Sequence, residues 1–472
     1  MTTHYVIIGN GAAGATAAET IRHTDPHGRI TIVTAEPYPM YSRPGLAYVL
    51  INEIPAHQVI CRDLDWYEKL GIDLVLGKAV RLDTTRREVH LDNGRVLRYG
   101  RLLIAAGARA TPPPYPGSDL DGVVFLDTLD GTKALVKKAR RAKRAVVIGG
   151  GITAMEMAEG LAHRGVETHY FLRRDRLWSK VFNDAEAKLL EEKMRAHHVH
   201  IHYNTEAVEI LGNRRGKARG VRLKDGAEFK CDLVGVAIGV RPQIGLVKDT
   251  PIATDRAILV NEYMESSAPH VYAAGDCAQV YDRWTQAHML DILWPSAVAE
   301  GNAAGLNMAG RRHAYVKGSP FNACLLFGLH IVTMGQINPR RDGEDEAEPE
   351  ILQHVSRGSS EVWYTRPRPY KSAWAKDGDN TTRLIISGNH LAGALVIGEQ
   401  SLADPLRYLI ENQINITPMR EQLAAGGERM RYALLRYWQN LLDLRPDAGE
   451  REAGSAPSPA TDFQSQQGGA AI

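Results

Sequence analysis

Two glycine-rich turns hold the residues whose spacing could most plainly do chemistry. The first, Gly9-Asn10-Gly11-Ala12-Ala13-Gly14, lies between the apolar run Tyr5-Val6-Ile7-Ile8 and the helix-forming run Ala15 to Ile21. In such a turn Gly9 permits the sharp change of direction, and Gly11 lets a pyrophosphate approach the backbone beside Ala13. Gly14 lets the helix pack closely on the strand. The free N–H groups and the positive dipole end of the helix then face the phosphates. The next apolar run, Arg29 to Val33, leads to Glu36, about 20 residues on, where an acid can bind a ribose diol. The device then recurs as Gly149-Gly150-Gly151-Ile152-Thr153-Ala154, after Arg144 to Ile148 and before the run Met155 to His163. The third glycine has become Ala154, a change the fingerprint tolerates. Two dinucleotide sites in one chain imply redox chemistry.

The elements that must position these turns repeat as well. Each turn is followed by an apolar strand ending in small residues, Leu102 to Ala106-Gly107 in one case and Val234 to Ile238-Gly239 in the other. Before each of these strands lies a β-rich stretch with a tight turn, Asp92-Asn93-Gly94 or Lys224-Asp225-Gly226. The alternation of strands and helices predicts an α/β fold with two Rossmann-like dinucleotide-binding domains. A chain of 472 residues has room for about three domains. Farther on, 382–386 and 391–397 around Ser387-Gly388-Asn389 read as a hairpin, and Thr417-Pro418 reads as a helix N-cap followed by proline at N1.

Composition removes several classes of function. A net charge of +2 gives no reason to expect a nucleic-acid binder, and 44% hydrophobic residues suit an ordinary globular protein. No apolar run approaches the ~18 residues of a membrane span. The first strand begins almost at once, leaving no room for a signal peptide, so the cytoplasm is the expected compartment. Cys61, Cys231, Cys277 and Cys324 are far apart and form no CxxC. That argues against a cysteine-ligated cluster, a zinc ribbon or a disulfide framework, and no metal site is expected.

Together these motifs resemble the FAD-dependent pyridine-nucleotide oxidoreductases. The closest branch holds ferredoxin and rubredoxin reductases, the flavoprotein part of NAD(P)H nitrite reductases, and flavin subunits of complexes such as 2-oxoacid oxidoreductases. The resemblance rests on both glycine turns, on Leu103-Ile104-Ala105-Ala106-Gly107, on Gly239-Val240-Arg241-Pro242, and above all on Val271-Tyr272-Ala273-Ala274-Gly275-Asp276. On its own the last motif reads as a strand end with a helix N-cap. In the family the aspartate, here Asp276, binds the ribityl chain. The resemblance implies a discontinuous FAD-binding domain, 1–110 and 245–318, with an NAD(P)-binding domain, 111–244, inserted in it. A C-terminal α+β interface domain, 319–435, follows, and the tail 446–472 has the composition of a disordered segment.

In disulfide reductases of this superfamily, the segment after the second strand carries the cysteines that take electrons from flavin. Here it reads Pro37-Tyr38-Pro39-Met40-Tyr41-Ser42-Arg43-Pro44-Gly45-Leu46-Ala47-Tyr48, with no cysteine, so no thiolate can form there. Cys61, the nearest cysteine, reads as a buried small apolar residue. The segment resembles the PYxRPxLSK signature of ferredoxin-reductase-like members, which implies Arg43 near the FAD pyrophosphate. The signature's lysine is Tyr48 here, which leaves Glu156, its usual partner beside the flavin, without a cation. Glu156 should therefore hold a proton or bind Tyr48 or another donor. Trp294, with Ala297 and Glu300-Gly301, matches the helix after the flavin aspartate, where it either covers the ring or packs in the core.

The implied activity is electron transfer between NAD(P)(H) and an iron–sulfur or rubredoxin-type carrier, through FAD and with no thiol relay. The carrier is a free protein or a subunit of a larger complex. An NAD(P)H oxidase and a sensor resembling apoptosis-inducing factor are the alternatives, and a homodimer is compatible with each. Leu172 stands where NAD-selective sites place an acid, and Arg173 and Arg174 beside it favour NADPH over NADH. The basic run 137–144 reads as a solvated helix end or a docking patch for an acidic carrier. The aromatic and basic stretch 363–371 reads as an exposed loop rather than a nucleic-acid site.

Overall fold

The computed structural model describes residues 2–282, 287–337, 370–377 and 380–443. The tail 446–472 and residues 363–369 lie outside them, while Tyr370 and Lys371 begin the strand Tyr370–Asp377.

Two five-stranded parallel sheets share one strand order. The first runs Ile72–Leu76, Arg29–Thr34, His4–Ile8, Arg101–Ile104, Val271–Ala273, and the second Val199–His202, Glu167–Phe171, Arg144–Ile148, Leu233–Val236, Val123–Val124. In each the central strand leads through its glycine turn into a helix, Ala12–Thr24 or Ile152–His163. These central strands are apolar along nearly their whole length and buried, as strands covered on both faces must be. The fifth strand enters from opposite directions in the chain. It comes from after the second sheet in the first unit and from before the glycine turn in the second. The first sheet is therefore complete only when residues 271–273 return to it. Each sheet also carries a three-stranded antiparallel companion, turned at Gly94 (φ +82°) or Gly226 (φ +88°).

A third sheet is antiparallel, in the order Phe321–Leu326, Leu329–Gly335, His390–Ile397, Asn380–Ser387, Tyr370–Asp377. The expected hairpin is its Asn380–Ser387 and His390–Ile397 pair, turned at Gly388. Helices Ala403–Glu411 and Gly427–Asp443 pack against it around Leu406, Leu409 and Leu434. Thr417-Pro418 departs from expectation. Thr417–Met419 is a single 3₁₀ turn capped at Ile416, and the α-helix starts only at Arg420. No described helix is long and apolar enough to cross a membrane.

Candidate active site

At the first glycine turn, Gly9 adopts φ +113°, and a Cβ there would lie 2.1 Å from the Ala105 carbonyl oxygen. The turn is thus pressed against the neighbouring strand end, where only glycine fits. A Cβ at Gly14 would lie 2.1 Å from the Gly9 oxygen, so helix and turn also meet without room for a side chain. Gly11 differs, because nothing stands within 4 Å of the place its Cβ would occupy. It is the N-cap of Ala12–Thr24, makes no side-chain cap hydrogen bond, and has no acid in the first turn. Open space against uncapped helix N–H groups is what a pyrophosphate requires. The residues therefore fit a dinucleotide.

The turn opens into a cavity of about 1030 Å³. Gly9, Gly11, Ala13, Glu36, Arg43, Ala106, Gly107, Asp276 and Trp294 all line it, joined by Tyr48 and Glu156. Gly14, Gly149, Gly151, Arg173, Arg174 and Gly239 do not. The third sheet contributes Phe321 to Leu325 along its edge strand, and the second unit contributes Ile152 and Glu156 from its helix. Glu36 is held from several sides. Its Oε1 accepts from Arg43 at 2.6 Å and from Arg109 at 3.2 Å, and its Oε2 accepts from the Tyr41 hydroxyl at 2.6 Å. Arg43 also donates to the Asp127 carbonyl at 2.6 Å, tying this wall to the segment that enters the second unit.

Asp276 is followed by a turn and the strand Ala278–Asp282, not by a helix as the bare motif suggests. Gly275, at φ +74°, sends the chain the other way. The next helix, Trp294–Met308, begins at the half-buried Trp294. From it the buried Glu300 accepts the Gly275 N–H at 2.7 Å and so holds the Asp276 turn. Burial, then Asp291, pushes the Glu300 carboxyl well above the usual carboxylate range.

Glu156 and Tyr48 do come together at the cavity. Burial, reinforced by Glu159, pushes Glu156 up to about 8, and burial with the Glu156 charge raises Tyr48. Among the described residues no cation offsets Glu156, so its carboxyl holds a proton at neutral pH. Glu159, one helical turn on, is raised to about 7 by burial even though it accepts the Phe327 N–H at 2.6 Å.

Cys324 also lines the cavity, a position no sequence motif revealed. Burial, then Glu156 and Glu159, pushes its thiol well up, which keeps it protonated and a poor nucleophile. Cys277 is buried and raised to about 12 by burial. Cys61 is exposed rather than buried, because it follows the short bridge between Tyr41 and Ile60 at the surface. Arg109 and Gln243 were likewise missed. Arg109 lies within the strand Ala108–Ala110 and Gln243 just after Val240–Pro242, two strands that link the units and whose pairing is long-range.

The second turn repeats the first at backbone level. Gly149 adopts φ +152°, and its Cβ would lie 2.2 Å from the Ala237 oxygen. Gly151 caps Ile152–His163 with no side-chain bond and no acid in the first turn. Gly239, at φ +117°, accepts the Thr111 N–H through its carbonyl. Leu172 is buried just past the strand Glu167–Phe171, and Arg173 and Arg174 beside it are exposed. The basic run contains the end of helix Leu129–Ala139, where Lys138 pairs with Asp121.

Residues 3–290 match the family model described as pyridine nucleotide-disulphide oxidoreductase. The chain is 28% identical over 415 residues to the nitrite reductase [NAD(P)H] of Bacillus subtilis (strain 168). That match covers 87% of this chain but 48% of the relative, so the chain spans about half that protein's length. It is 27% identical over 427 residues to the NADH-dependent phenylglyoxylate dehydrogenase subunit epsilon of Aromatoleum evansii, covering 90% of this chain and 95% of the subunit. A crystallised ferredoxin reductase from Rhodopseudomonas palustris shares the fold, with a TM-score of 0.77, 22% identity, and coverage of 90% of this chain and 97% of that one.

Proposed function

The chain belongs to the pyridine nucleotide-disulphide oxidoreductase family, and from that premise we propose that it moves electrons between NAD(P)(H) and the iron–sulfur or rubredoxin-type centre of another protein, using bound FAD. In this reading 1–110 and 245–318 hold FAD, 111–244 hold the nicotinamide nucleotide, and 319–435 cover the cavity and meet a partner or a second copy. The observation that carries it is the cavity itself, which runs from the first glycine turn to Glu156 on the helix of the second and whose lining thiol, Cys324, is held in its protonated form. A bound flavin there supplies a ring that takes a hydride from a nicotinamide and releases electrons to an acceptor.

The chain's own residues do the rest. N–H groups of Ala12 and Ala13 bind the pyrophosphate, with Glu36, oriented by Arg43 and Arg109, at the ribose. Asp276 binds the sugar-alcohol chain. Trp294 and the edge strand Phe321–Leu326 exclude water from the ring. Glu156 stays neutral and keeps a proton near the reacting atoms, and Tyr48 supplies a hydroxyl where relatives with the PYxRPxLSK signature have a cation. The nearly full-length match to a dehydrogenase subunit favours an alternative in which a neighbouring subunit supplies the electrons and this chain passes them to NAD(P)+.

The test is anaerobic titration of the FAD-loaded protein with NADPH and NADH, then reduction of ferredoxin and rubredoxin, beside isolation of the native protein with whatever accompanies it. Bleaching of the flavin followed by reduction of a carrier, or co-purification with cluster-bearing subunits, supports the proposal. A colourless chain that refuses FAD ends it, as does a flavin–thiol adduct at Cys324 during turnover. Equally fast NAD(P)H consumption with oxygen alone would favour an oxidase.

A further inference from the structure

Away from the cavity, two neighbouring parallel strands bring three histidines and a glutamate onto one surface. Glu167–Phe171 and Val199–His202 pair with His169 opposite His200 and Phe171 opposite His202. Since strand side chains alternate, Glu167, His169, His200 and His202 share a face. His169 is buried and held at both ring nitrogens, Nε2 lying 3.0 Å from Glu167 Oε1 and Nδ1 lying 2.9 Å from His202 Nε2. Its ring stacks on that of His200 with centroids 4.7 Å apart and an interplanar angle of 19°. Phe171 and Phe229 set their rings edge-on to His202 and close the inner side. Glu167 and His200 are open to solvent.

We propose that Glu167, His169 and His200 form a binding site for one divalent d-block cation, Zn²⁺ foremost. Their ligand atoms lie within 4.8 Å of one another. Two imidazoles and a carboxylate, with water as a fourth ligand, are a donor set that Zn²⁺ accepts at about 2.0–2.1 Å. Tetrahedral bonds of that length need donor atoms roughly 3.3 Å apart. Rotation of the exposed His200 ring closes the difference, while His202 fixes the buried His169 ring from behind in the manner of an outer-shell partner. Arg144 lies 2.9 Å from the other Glu167 oxygen, and its charge keeps the site to moderate affinity. Of the ligands Glu167 lies four residues and His169 two residues before Phe171, about 13 and 7 Å of strand from the carboxyl end where nucleotides bind in such sheets. The cation thus clasps two strands and does not touch the redox reaction.

Calorimetric titration of the FAD-loaded protein with Zn²⁺ alone is expected to show one equivalent per chain with micromolar affinity. Glu167→Gln and His200→Ala each alter an exposed side chain, should melt with the parent in chelator, and should bind Zn²⁺ at least tenfold more weakly. Excess Mg²⁺ should not compete. Absence of a saturable equivalent, full retention of binding in His200→Ala, or displacement by Mg²⁺ would each overturn the site. Flavin content should be unchanged throughout, so the outcome is independent of the redox proposal.

Discussion

A Cβ at Gly9 would come within 2.1 Å of the Ala105 oxygen, and one at Gly149 within 2.2 Å of the Ala237 oxygen. The two units thus press the same turn against the same neighbouring strand end, in sheets of the same strand order. Their surroundings differ. The first turn is walled by Glu36, Arg43, Arg109, Asp276, Trp294 and the third sheet, whereas the glycines of the second do not line that cavity. Past its neighbouring strand the second unit has buried Leu172 and exposed Arg173 and Arg174 where the first has Glu36. Under the proposed function, one backbone device would serve a ligand that stays in one unit and a ligand that comes and goes in the other. Enclosure, not the turn, makes the distinction.

The largest test of that contrast places an acid at each N-cap. Gly11→Glu has space for its side chain but sets an anion where the pyrophosphate belongs. Flavin absorbance per chain should fall about tenfold or more. Gly151→Glu should keep its flavin yet lose roughly 100-fold in kcat/KM for NAD(P)H, seen in stopped-flow reduction. If both variants lose flavin alike, the contrast fails.

A smaller effect is expected at Arg173→Ala. Removing the guanidinium should lower kcat/KM for NADPH by about tenfold while leaving NADH nearly unchanged. An unaltered ratio of the two donors would remove Arg173 from nucleotide selection.

A further effect, on stability and not on rate, concerns Glu156, which joins the two units at the cavity. In the folded chain it keeps its proton to about 8, against 4.5 for the ordinary group. Between those values the unfolded chain sheds a proton that the folded chain retains, so this residue's contribution to stability declines as pH rises from about 4.5 to about 8. Glu156→Gln removes that slope. Relative to the parent it should gain with rising pH, by about 2 kcal/mol between pH 5 and 8.5 once its contact with the cavity is discounted. Denaturant midpoints at the two pH values check this, and a pH-independent gap would show that Glu156 is ionised in the folded chain.

Much of the site could be read from the chain because its requirements are local. Gly9 and Gly149 are legible since positive φ and a missing Cβ are properties of a single residue, and the hairpin at Gly388 for the same reason. Sequence and structure part where a local pattern has two continuations. Gly275-Asp276 leads into a strand instead of capping a helix, and Thr417-Pro418 makes only a 3₁₀ turn before the helix at Arg420. The exposure of Cys61 is not legible locally, because it depends on which segment bridges to Tyr41.

The order of residues by itself determined two glycine turns at helix N-termini, the strands and helices that carry them, and the lack of a cysteine between Pro37 and Tyr48. Only the tertiary structure decided that Arg109 closes on Glu36, that Cys324 enters the cavity as a protonated thiol, that Glu156 is without a countercharge among the described residues, and that His169 meets His200. Backbone turns answer to the dihedral limits of neighbouring residues, whereas charge, burial and ligand sets are made by groups far apart in the chain that packing brings within a few ångströms.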